Sequence, residues 1–157
     1  MTEIKTDKKY QSKMDNLINI MKNSKFLTDN RVESAIKKTP RHEFVPMSLQ
    51  EKAYDDIPIP ILNNQTVSQP SVVSRMTEWL DVMDGQKILE IGSGSGWQSA
   101  ILSYLVGRGK IYSIERHSEL VDFAKKNLGK LGINNVKVIL GDGSLGLPKE
   151  SPFDRII

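Results

Sequence analysis

The feature that most constrains this chain is the apolar run Lys87–Ile91, which leads directly into the glycine-rich stretch Gly92–Gly96. The run has the length and composition of a short buried strand, and the glycines permit a tight turn into a helix. Nineteen residues after Gly96, a second apolar run ends in Glu115. A strand, a glycine-rich turn and an acid at the tip of the next strand together hold adenosine-containing ligands, because the backbone can approach the ligand and a carboxylate accepts the ribose hydroxyls.

The spacing of the glycines indicates which adenosine-containing ligand this would be. A dinucleotide site has the pattern G-x-G-x-x-G beside a pyrophosphate, whereas here Gly92, Gly94 and Gly96 are followed by the bulky Trp97. Glu90 lies inside the strand, where its carboxylate would repel a pyrophosphate and tolerate a cation. S-adenosyl-L-methionine carries a sulfonium and an ammonium, and E-x-G-x-G-x-G is a pattern of methyltransferases that bind it. The alternative is a tight turn whose glycines only avoid clashes.

The composition is that of an ordinary globular domain. The chain has 157 residues, of which 38% are hydrophobic and 26% charged, enough for one domain with a core. It has no cysteine and two histidines, so we expect no disulfide, no thiolate chemistry and no metal site. A net charge of +3, with lysines scattered among acids, does not indicate a nucleic-acid surface. Neither a membrane span nor a signal peptide is visible, and the default expectation is therefore a cytoplasmic location.

The chain divides into a tail and one domain. The polar, lysine-rich residues 1–12 are expected to form a disordered tail ahead of a single domain over residues 13–157. Within that domain, residues 13–86 provide N-terminal helices and a long loop, and residues 87–157 provide a cofactor-binding βαβ core. The proline-rich segment 41–70 has no sustained hydrophobic period, which predicts an ordered loop of a length that is usually functional.

Apolar residues at helical spacing predict three helices before the core. The first contains Met14–Met21, and the second contains Val32–Ile36 with Asp29 as its N-cap. Ser68 or Gln69 caps the third. The buried face of the third helix is expected to consist of Val72, Val73, Met76, Trp79 and Leu80.

From residue 87 onward, strand and helix patterns alternate. Strands are predicted at Ile88–Ile91, Ile111–Ile114, Val136–Leu140 and Phe153–Ile157, and helices at Trp97–Val106 and Leu120–Leu131. Repeated βαβ units predict an α/β fold, a doubly wound and mostly parallel sheet with helices on both faces and the N-terminal helices as an extension. Ligands of such sheets lie beyond the carboxyl ends of the strands, where Glu90–Gly96, Glu115 and Asp142 converge. The chain stops within an apolar strand, so we expect a fragment whose C-terminal strands are missing and which is poorly soluble alone.

With these elements laid out, the chain resembles the protein-L-isoaspartate O-methyltransferases, a family with the Rossmann-like methyltransferase fold, over about residues 13–157. The glycine turn alone indicates only a methyltransferase, and the elements Arg41–Pro46 and Gln65–Ser68 ahead of it are more specific. The motifs that recur in the same order are Arg41-His42-Glu43-Phe44-Val45-Pro46, Ala53-Tyr54-Asp55-Asp56, Pro58-Ile59-Pro60-Ile61, Gln65-Thr66-Val67-Ser68, Leu89 to Gly96, Ile114-Glu115-Arg116, Gly141-Asp142-Gly143 and Pro152-Phe153-Asp154-Arg155-Ile156.

The resemblance implies a repair reaction: methyl transfer from S-adenosyl-L-methionine to the α-carboxylate of L-isoaspartyl residues in damaged proteins. It implies isoaspartyl peptides and proteins as partners, no nucleic acid or membrane, and a monomer when complete. The chain departs from the family in two places. Gln69-Pro70-Ser71 stands where the family commonly has Ala-Pro-His, and the family continues past the fourth strand with elements that help to form the peptide groove.

The resemblance also implies roles for individual residues. Ser68 is implied as the catalytic residue, whose hydroxyl positions the substrate carboxylate, and Thr66 and Val67 as lining of the cofactor. The alternative for Ser68 is a simple helix cap. No general base is expected, because a carboxylate with a pKa of about 4 is already ionised at neutral pH.

The remaining candidates surround the cofactor. Glu115 is expected to bind the ribose hydroxyls, the alternative being a solvated residue beside Arg116. Asp142, with Gly143, is expected at the adenine edge, the alternative being an Asp-Gly turn. The methionine part of the cofactor is expected against the glycine turn, namely Glu90, Gly92, Ser93, Gly94 and Gly96.

Three further side chains near these motifs are Trp97, His42 and His117. Trp97 either flanks the pocket or packs in the core. His42 and His117 are expected at the surface or at a helix start, with no function.

Two other functions stay open from the sequence. One is a methyltransferase of RNA or of a small molecule, although no base-stacking motif is visible. The other is a non-catalytic fragment that binds S-adenosyl-L-methionine.

Overall fold

The computed structural model describes residues 8–157, which form an α/β fold. Helix α1 spans Lys8–Asn23, so residues 8–12 are helical where a disordered tail is predicted. The helix extends because Tyr10 stacks on His42, with ring centroids 4.0 Å apart, a long-range contact that local sequence does not reveal. Residues 1–7 of the predicted tail lie outside the described residues.

Between α1 and the core, the chain forms helices and a compact loop segment. The elements are α2 (Asn30–Lys38), β1 (Ile59–Pro60), β2 (Thr66–Val67) and α3 (Pro70–Leu80), with short 3₁₀ helices between residues 41 and 64. Asp29 caps α2, its carboxylate accepting a hydrogen bond from the Arg31 amide at 2.7 Å, which confirms the predicted cap. β1 and β2 pair antiparallel, with Ile59 opposite Val67. The predicted ordered loop is therefore a folded unit that returns on itself.

The core is a four-stranded parallel sheet in the order β5-β4-β3-β6. Its strands are β3 (Lys87–Ile91), β4 (Lys110–Glu115), β5 (Val136–Leu140) and β6 (Arg155–Ile156), and the crossover helices are α4 (Trp97–Val106) and α5 (Ser118–Lys130). Ile88 lies opposite Ile111 of β4 and Arg155 of β6. The predicted parallel α/β sheet is confirmed, with strand and helix bounds within a few residues.

Alternation along the strands separates the two faces of the sheet. Ile88 and Ile111 pack with Leu102 and Val106 of α4, and all four are fully buried. On the opposite face, Leu89, Tyr112 and Ile114 form a smaller cluster. The side chains packed against that cluster are Ile139, Leu147 and Phe153, so in residues 8–157 no helix residue contributes to it.

The predicted buried face of α3 is wrong for three of its five residues. Val73 is buried and Leu80 packs against the core, but Val72, Met76 and Trp79 are exposed, Trp79 by 75%. The helix instead packs through small polar residues: Ser74 donates to the Phe26 carbonyl at 2.9 Å, and the Thr77 hydroxyl accepts from the Gln98 amide at 2.9 Å. These hydrogen bonds satisfy the buried polar atoms of the helix.

Within the described part of the chain, no helix is long and apolar enough to cross a lipid bilayer.

Candidate active site

The turn after β3 requires glycine at its bends. Gly92 has a φ of +92° and Gly94 a φ of +53°, in the left-handed region that favours glycine. The Gly92 amide donates to the Ile114 carbonyl at 2.7 Å, which extends the pairing of β3 and β4 into the turn. A Cβ at Gly94 would come within 4 Å of Ile61 and Thr66, in the space between the turn and β2. The absence of side chains therefore keeps a groove open between these segments.

Glu115 joins the turn to the tip of the next strand. Its carboxylate accepts hydrogen bonds from the Gly94 amide at 3.0 Å and from the His117 amide at 3.1 Å, and the residue is only 6% exposed. This is not the solvated residue beside Arg116 that the sequence left open. A carboxylate has lone pairs beyond these two hydrogen bonds, so Glu115 can also accept from a ligand.

Glu90 is a buried carboxyl with one oxygen paired and one free. Its Oε2 accepts hydrogen bonds from the hydroxyls of Ser99 and Ser113, the latter at 2.5 Å. Ser113 in turn shares a 2.5 Å hydrogen bond with Ser93 of the turn. Oε1 of Glu90 has no partner in the described structure.

Burial raises the pKa of Glu90 to about 7, against the opposing effect of the two serine hydroxyls and with a small contribution from the charge of Glu115.

Two adjoining cavities lie at the carboxyl edge of the sheet. The first, about 170 Å³, is lined by Thr66, Val67, Ser68, Glu90 and the stretch Gly92–Ser95, among others. The second, about 280 Å³, is lined by Gln65, Ile91, Gly92, Ile114, Glu115, Arg116, Asp142, Gly143 and Ser144. Because both lists contain Ile91 and Gly92, the cavities meet at the start of the turn. The structure thus brings together the predicted site residues of three strand ends and the loop.

Gly96 is the predicted site residue that lines neither cavity. With a φ of +88° it faces α5, where an added Cβ would lie 3.3 Å from Leu128 and 3.4 Å from Ala124. Its role is to let α4 start close against α5.

Trp97, the next residue, lines the first cavity but is 2% exposed, and its indole N–H donates to the Thr39 carbonyl at 3.0 Å. Trp97 is therefore mainly a core residue, as one of the two alternatives held.

Asp142 stands at the second cavity and also forms a turn. Its Oδ1 accepts from the amide of Ser144 at 2.9 Å and from its hydroxyl at 2.7 Å. These bonds hold the Asp142 pKa below its usual value. The turn role left open by the sequence is thus present, and the residue borders the cavity as well.

Ser68 is not the cap of α3. The N-cap is Gln69, which makes no side-chain capping hydrogen bond. Instead, the Asp56 carboxylate accepts from the Ser71 amide at 2.9 Å and from the Gln69 side chain at 3.3 Å. Among the described residues the exposed Ser68 hydroxyl has no hydrogen-bond partner, so it is available in the first cavity.

Comparison with known proteins identifies the family. The family model described as Protein-L-isoaspartate(D-aspartate) O-methyltransferase matches residues 12–157. A protein-L-isoaspartate O-methyltransferase of Methanopyrus kandleri is 45% identical over 153 residues, which cover 96% of this chain and 68% of the relative. One of Methanococcoides burtonii is 50% identical over 130 residues, covering 82% of this chain and 64% of the relative. The chain belongs to this family. It spans about two thirds of the length of these relatives.

Solved structures of this family share the fold. One protein-L-isoaspartate O-methyltransferase has a TM-score of 0.79 at 34% identity, covering 91% of this chain and 46% of the other. A putative one from Plasmodium falciparum, in complex with S-adenosyl-L-homocysteine, has a TM-score of 0.78 at 23% identity, covering 94% and 71%. At that identity the second likeness concerns the fold alone.

The site residues fit a cationic adenosine ligand of the kind expected for this family. Glu90 presents an unpaired, buried oxygen, and among residues 8–157 it is the one ionisable side chain that lines the first cavity. The glycine turn leaves its wall free of side chains, and Glu115 lies one cavity away. Burying a carboxyl oxygen without a partner raises the free energy of the folded chain unless a hydrogen-bond donor or a cation contacts that oxygen.

Sequence reasoning missed two residues that organise the site. Arg41 and Asp56 stand in the quoted motifs, but the sequence assigned them no role. His42 was expected at the surface or a helix start: it lies at the start of the short 3₁₀ helix Arg41–Phe44, but it is only 7% exposed and so not at the surface. Its Nδ1 lies 2.8 Å from the Tyr54 hydroxyl, and its ring stacks on Tyr10. An aromatic partner 32 residues away in sequence gives no local signal.

The raised pKa of Glu90 predicts a specific pH dependence of stability. Between its usual value of 4.5 and about 7, the folded chain holds a proton that the unfolded chain has lost. Glu90 therefore contributes stability that is fully present below pH 4.5 and is lost as pH rises through 7, on the order of 3 kcal/mol in total. Denaturant unfolding across this range should show the free energy of unfolding of the wild type falling relative to Glu90→Gln.

The exposed Asp122 on α5 provides the control, since Asp122→Asn should keep the wild-type slope. A constant difference between wild type and Glu90→Gln from pH 4 to 8 would contradict the raised pKa.

Proposed function

We propose that this chain carries out the methyl transfer of its family: from S-adenosyl-L-methionine to the α-carboxylate of L-isoaspartyl residues in proteins. The observation that carries the proposal is the meeting of the two cavities at Gly92. One contains the free Ser68 hydroxyl, and the other contains Glu115 and Asp142. With the nucleoside of the cofactor in the second cavity, its methionine part would extend past Gly92 into the first cavity. There the Ser68 hydroxyl can donate a hydrogen bond to the substrate.

The proposed cofactor contacts follow from these positions. Glu115 accepts the ribose hydroxyls while it holds the Gly94 amide. Asp142 and Gly143 border the adenine. The carboxylate of Glu90 faces the cationic methionine part, with Gly92, Ser93 and Gly94 as the side-chain-poor wall and Thr66 and Val67 opposite.

Bound S-adenosyl-L-methionine supplies an electrophilic methyl group on a sulfonium. The chain's own task is to hold the two reactants in line, because the substrate carboxylate is already ionised and needs no general base. The Ser68 hydroxyl donates a hydrogen bond to one oxygen of the substrate carboxylate. This bond orients the other oxygen toward the methyl group. A neutral donor serves better than a cation, since a cation would lower the nucleophilicity of the carboxylate.

We also propose a location, an oligomeric state and partners for the protein. It is cytoplasmic and monomeric, binds isoaspartyl peptides and proteins, and binds neither nucleic acid nor membrane. Among residues 8–157 no basic side chain lines the first cavity, so it lacks the cationic groups that bind the phosphates of RNA.

The substrate is tested with a pair of peptides. The purified chain should methylate a peptide with one L-isoaspartyl residue and leave its normal L-aspartyl twin unmodified, as measured by transfer of labelled methyl groups. Cofactor binding without transfer to either peptide would favour the non-catalytic alternative. Transfer to RNA in place of the peptide would contradict the proposal.

Ser68→Ala should reduce turnover far more than cofactor binding. Loss of one hydrogen bond to a charged group predicts a fall in kcat of roughly 10- to 100-fold. The dissociation constant of S-adenosyl-L-homocysteine, measured by calorimetry, should change by less than about threefold. Ser48, an exposed serine on the same loop segment, provides the control, and Ser48→Ala should keep wild-type kinetics. An equal loss in turnover and in cofactor affinity would reject the role of Ser68.

Glu115→Gln should weaken cofactor binding. Replacing a carboxylate that accepts from a ligand and from two amides is expected to raise the dissociation constant of S-adenosyl-L-homocysteine by about tenfold or more. Asp122→Asn, at an exposed site on α5, is the matched control and should bind as the wild type does. Unchanged affinity in Glu115→Gln would remove Glu115 from the ribose site.

A further inference from the structure

Arg41 is a buried guanidinium whose partners are backbone carbonyls. It is 1% exposed, and its Nη1 donates to Ala53 at 2.8 Å and to Asp55 at 3.3 Å. Its Nη2 donates to Ile57 at 2.9 Å, Val67 at 3.3 Å and Ser68 at 3.0 Å. Among the described residues it forms no ion pair with a carboxylate within 4 Å.

The five carbonyls belong to two separate stretches of the loop. Residues 53–57 lie ahead of β1, whereas Val67 and Ser68 lie at the end of β2, and both carbonyls of the second stretch accept from the same nitrogen. The peptide groups on either side of the Ser68 Cα are thereby held against residues 53–57. This orients the residue whose hydroxyl faces the first cavity.

Arg41 also contacts the helix that follows the glycine turn. Its guanidinium carbon lies 5.1 Å from the ring centroid of Trp97, the first residue of α4. Trp97 is fixed in turn by its hydrogen bond to the Thr39 carbonyl. The Arg41 side chain therefore contacts three segments: residues 53–57 of the loop, the end of β2 and the start of α4.

The contacts require a guanidinium. A planar fork with five N–H donors can reach carbonyls on both sides at fixed angles, whereas the ammonium of lysine is a single point with three donors. Burial lowers the Arg41 pKa to about 10, partly offset by the nearby charges of Asp56 and Asp55, so the group stays cationic at neutral pH.

We infer that Arg41 is a positioning residue for the proposed methyl transfer: it fixes Ser68 relative to the glycine turn and joins it to residues 53–57. This inference rests on the proposed function of Ser68. Arg41 makes no hydrogen bond or ion pair with Glu90, the stretch Gly92–Gly96 or Glu115, and its contacts with Val67 go to the backbone carbonyl. Its loss should therefore affect transfer and leave cofactor binding nearly intact.

The test variant is Arg41→Lys, which keeps the positive charge but loses the planar arrangement of N–H donors. A displacement of Ser68 by about an ångström predicts a fall in kcat of roughly 10- to 100-fold, with the dissociation constant of S-adenosyl-L-homocysteine within about threefold of wild type. Val106→Ala is the control for loss of core stability, because Val106 is fully buried at the far end of α4. It should lower the melting temperature and keep kcat.

The double variant separates positioning from general structural support. If Arg41 acts through Ser68, Arg41→Lys should add less than about twofold to the loss already caused by Ser68→Ala. Losses that multiply in the double variant, or an equal fall in kcat in Val106→Ala, would overturn the inference.

Hydrogen exchange tests the inference without any activity. In Arg41→Lys, the amides of residues 53–57, of Ile59 and of residues 65–69 should exchange faster, while those of α4 and α5 stay as in the wild type. If the wild type transfers no methyl group, the proposed function fails, and this exchange pattern still decides whether Arg41 holds the loop. Faster exchange throughout the chain, or no change, would overturn it. If Arg41→Lys does not fold, Arg41→Gln is measured in its place, and failure of both to fold would assign Arg41 to global stability and reject the positioning role.

Discussion

The hydrogen bond from the Gly94 amide to the Glu115 carboxylate is the interaction on which the site depends. It ties the turn after β3 to the tip of β4 at 3.0 Å, and it lies next to Gly92, where the two cavities meet. Parallel strands bring these two ends to one edge of the sheet, so the fold itself supplies the meeting point. Without this tie, a turn of alternating glycine and serine would have many conformations of similar free energy. The carboxylate both orders the turn and faces the proposed ribose position.

Two buried ionisable groups lie beside the first cavity, and neutral dipoles rather than counter-ions contact both. Glu90 accepts from serine hydroxyls, and Arg41 donates to backbone carbonyls. These dipoles fix the position of each group. No counter-ion competes with a ligand for Glu90 among the described residues, so a bound cation would favour the ionised form of this carboxyl. Arg41 lies behind Val67 and Ser68 and does not line the cavity. Within the described part of the chain, Glu90 therefore provides the only ionisable side chain in the cavity wall. That arrangement suits a cationic ligand and a neutral hydroxyl beside it.

Much of the fold was predictable because its signals are local. Glycine bends, strand alternation and helical spacing predicted α4 and β5 to the residue, along with the cap at Asp29. The buried face of α3 was not predictable in the same way. Val72, Met76 and Trp79 of its apolar stripe are exposed, whereas Ser74 and Thr77 are buried, since their hydroxyls find partners on other elements. Periodicity identifies an apolar face, but only the neighbouring elements determine which face is covered.

The sequence by itself determined the strand-turn-helix unit, the acids at the strand ends and the family, because each depends on residue type and spacing within a short stretch. It left open whether Ser68 caps a helix, whether Glu115 is solvated, and what Arg41 does. Tertiary structure decided these points, since the answers lie in partners distant along the chain: Asp56 at the start of α3, Gly94 against Glu115, and five carbonyls around one guanidinium. Hydrogen bonds across such separations require the whole chain to be folded, and no local pattern encodes them.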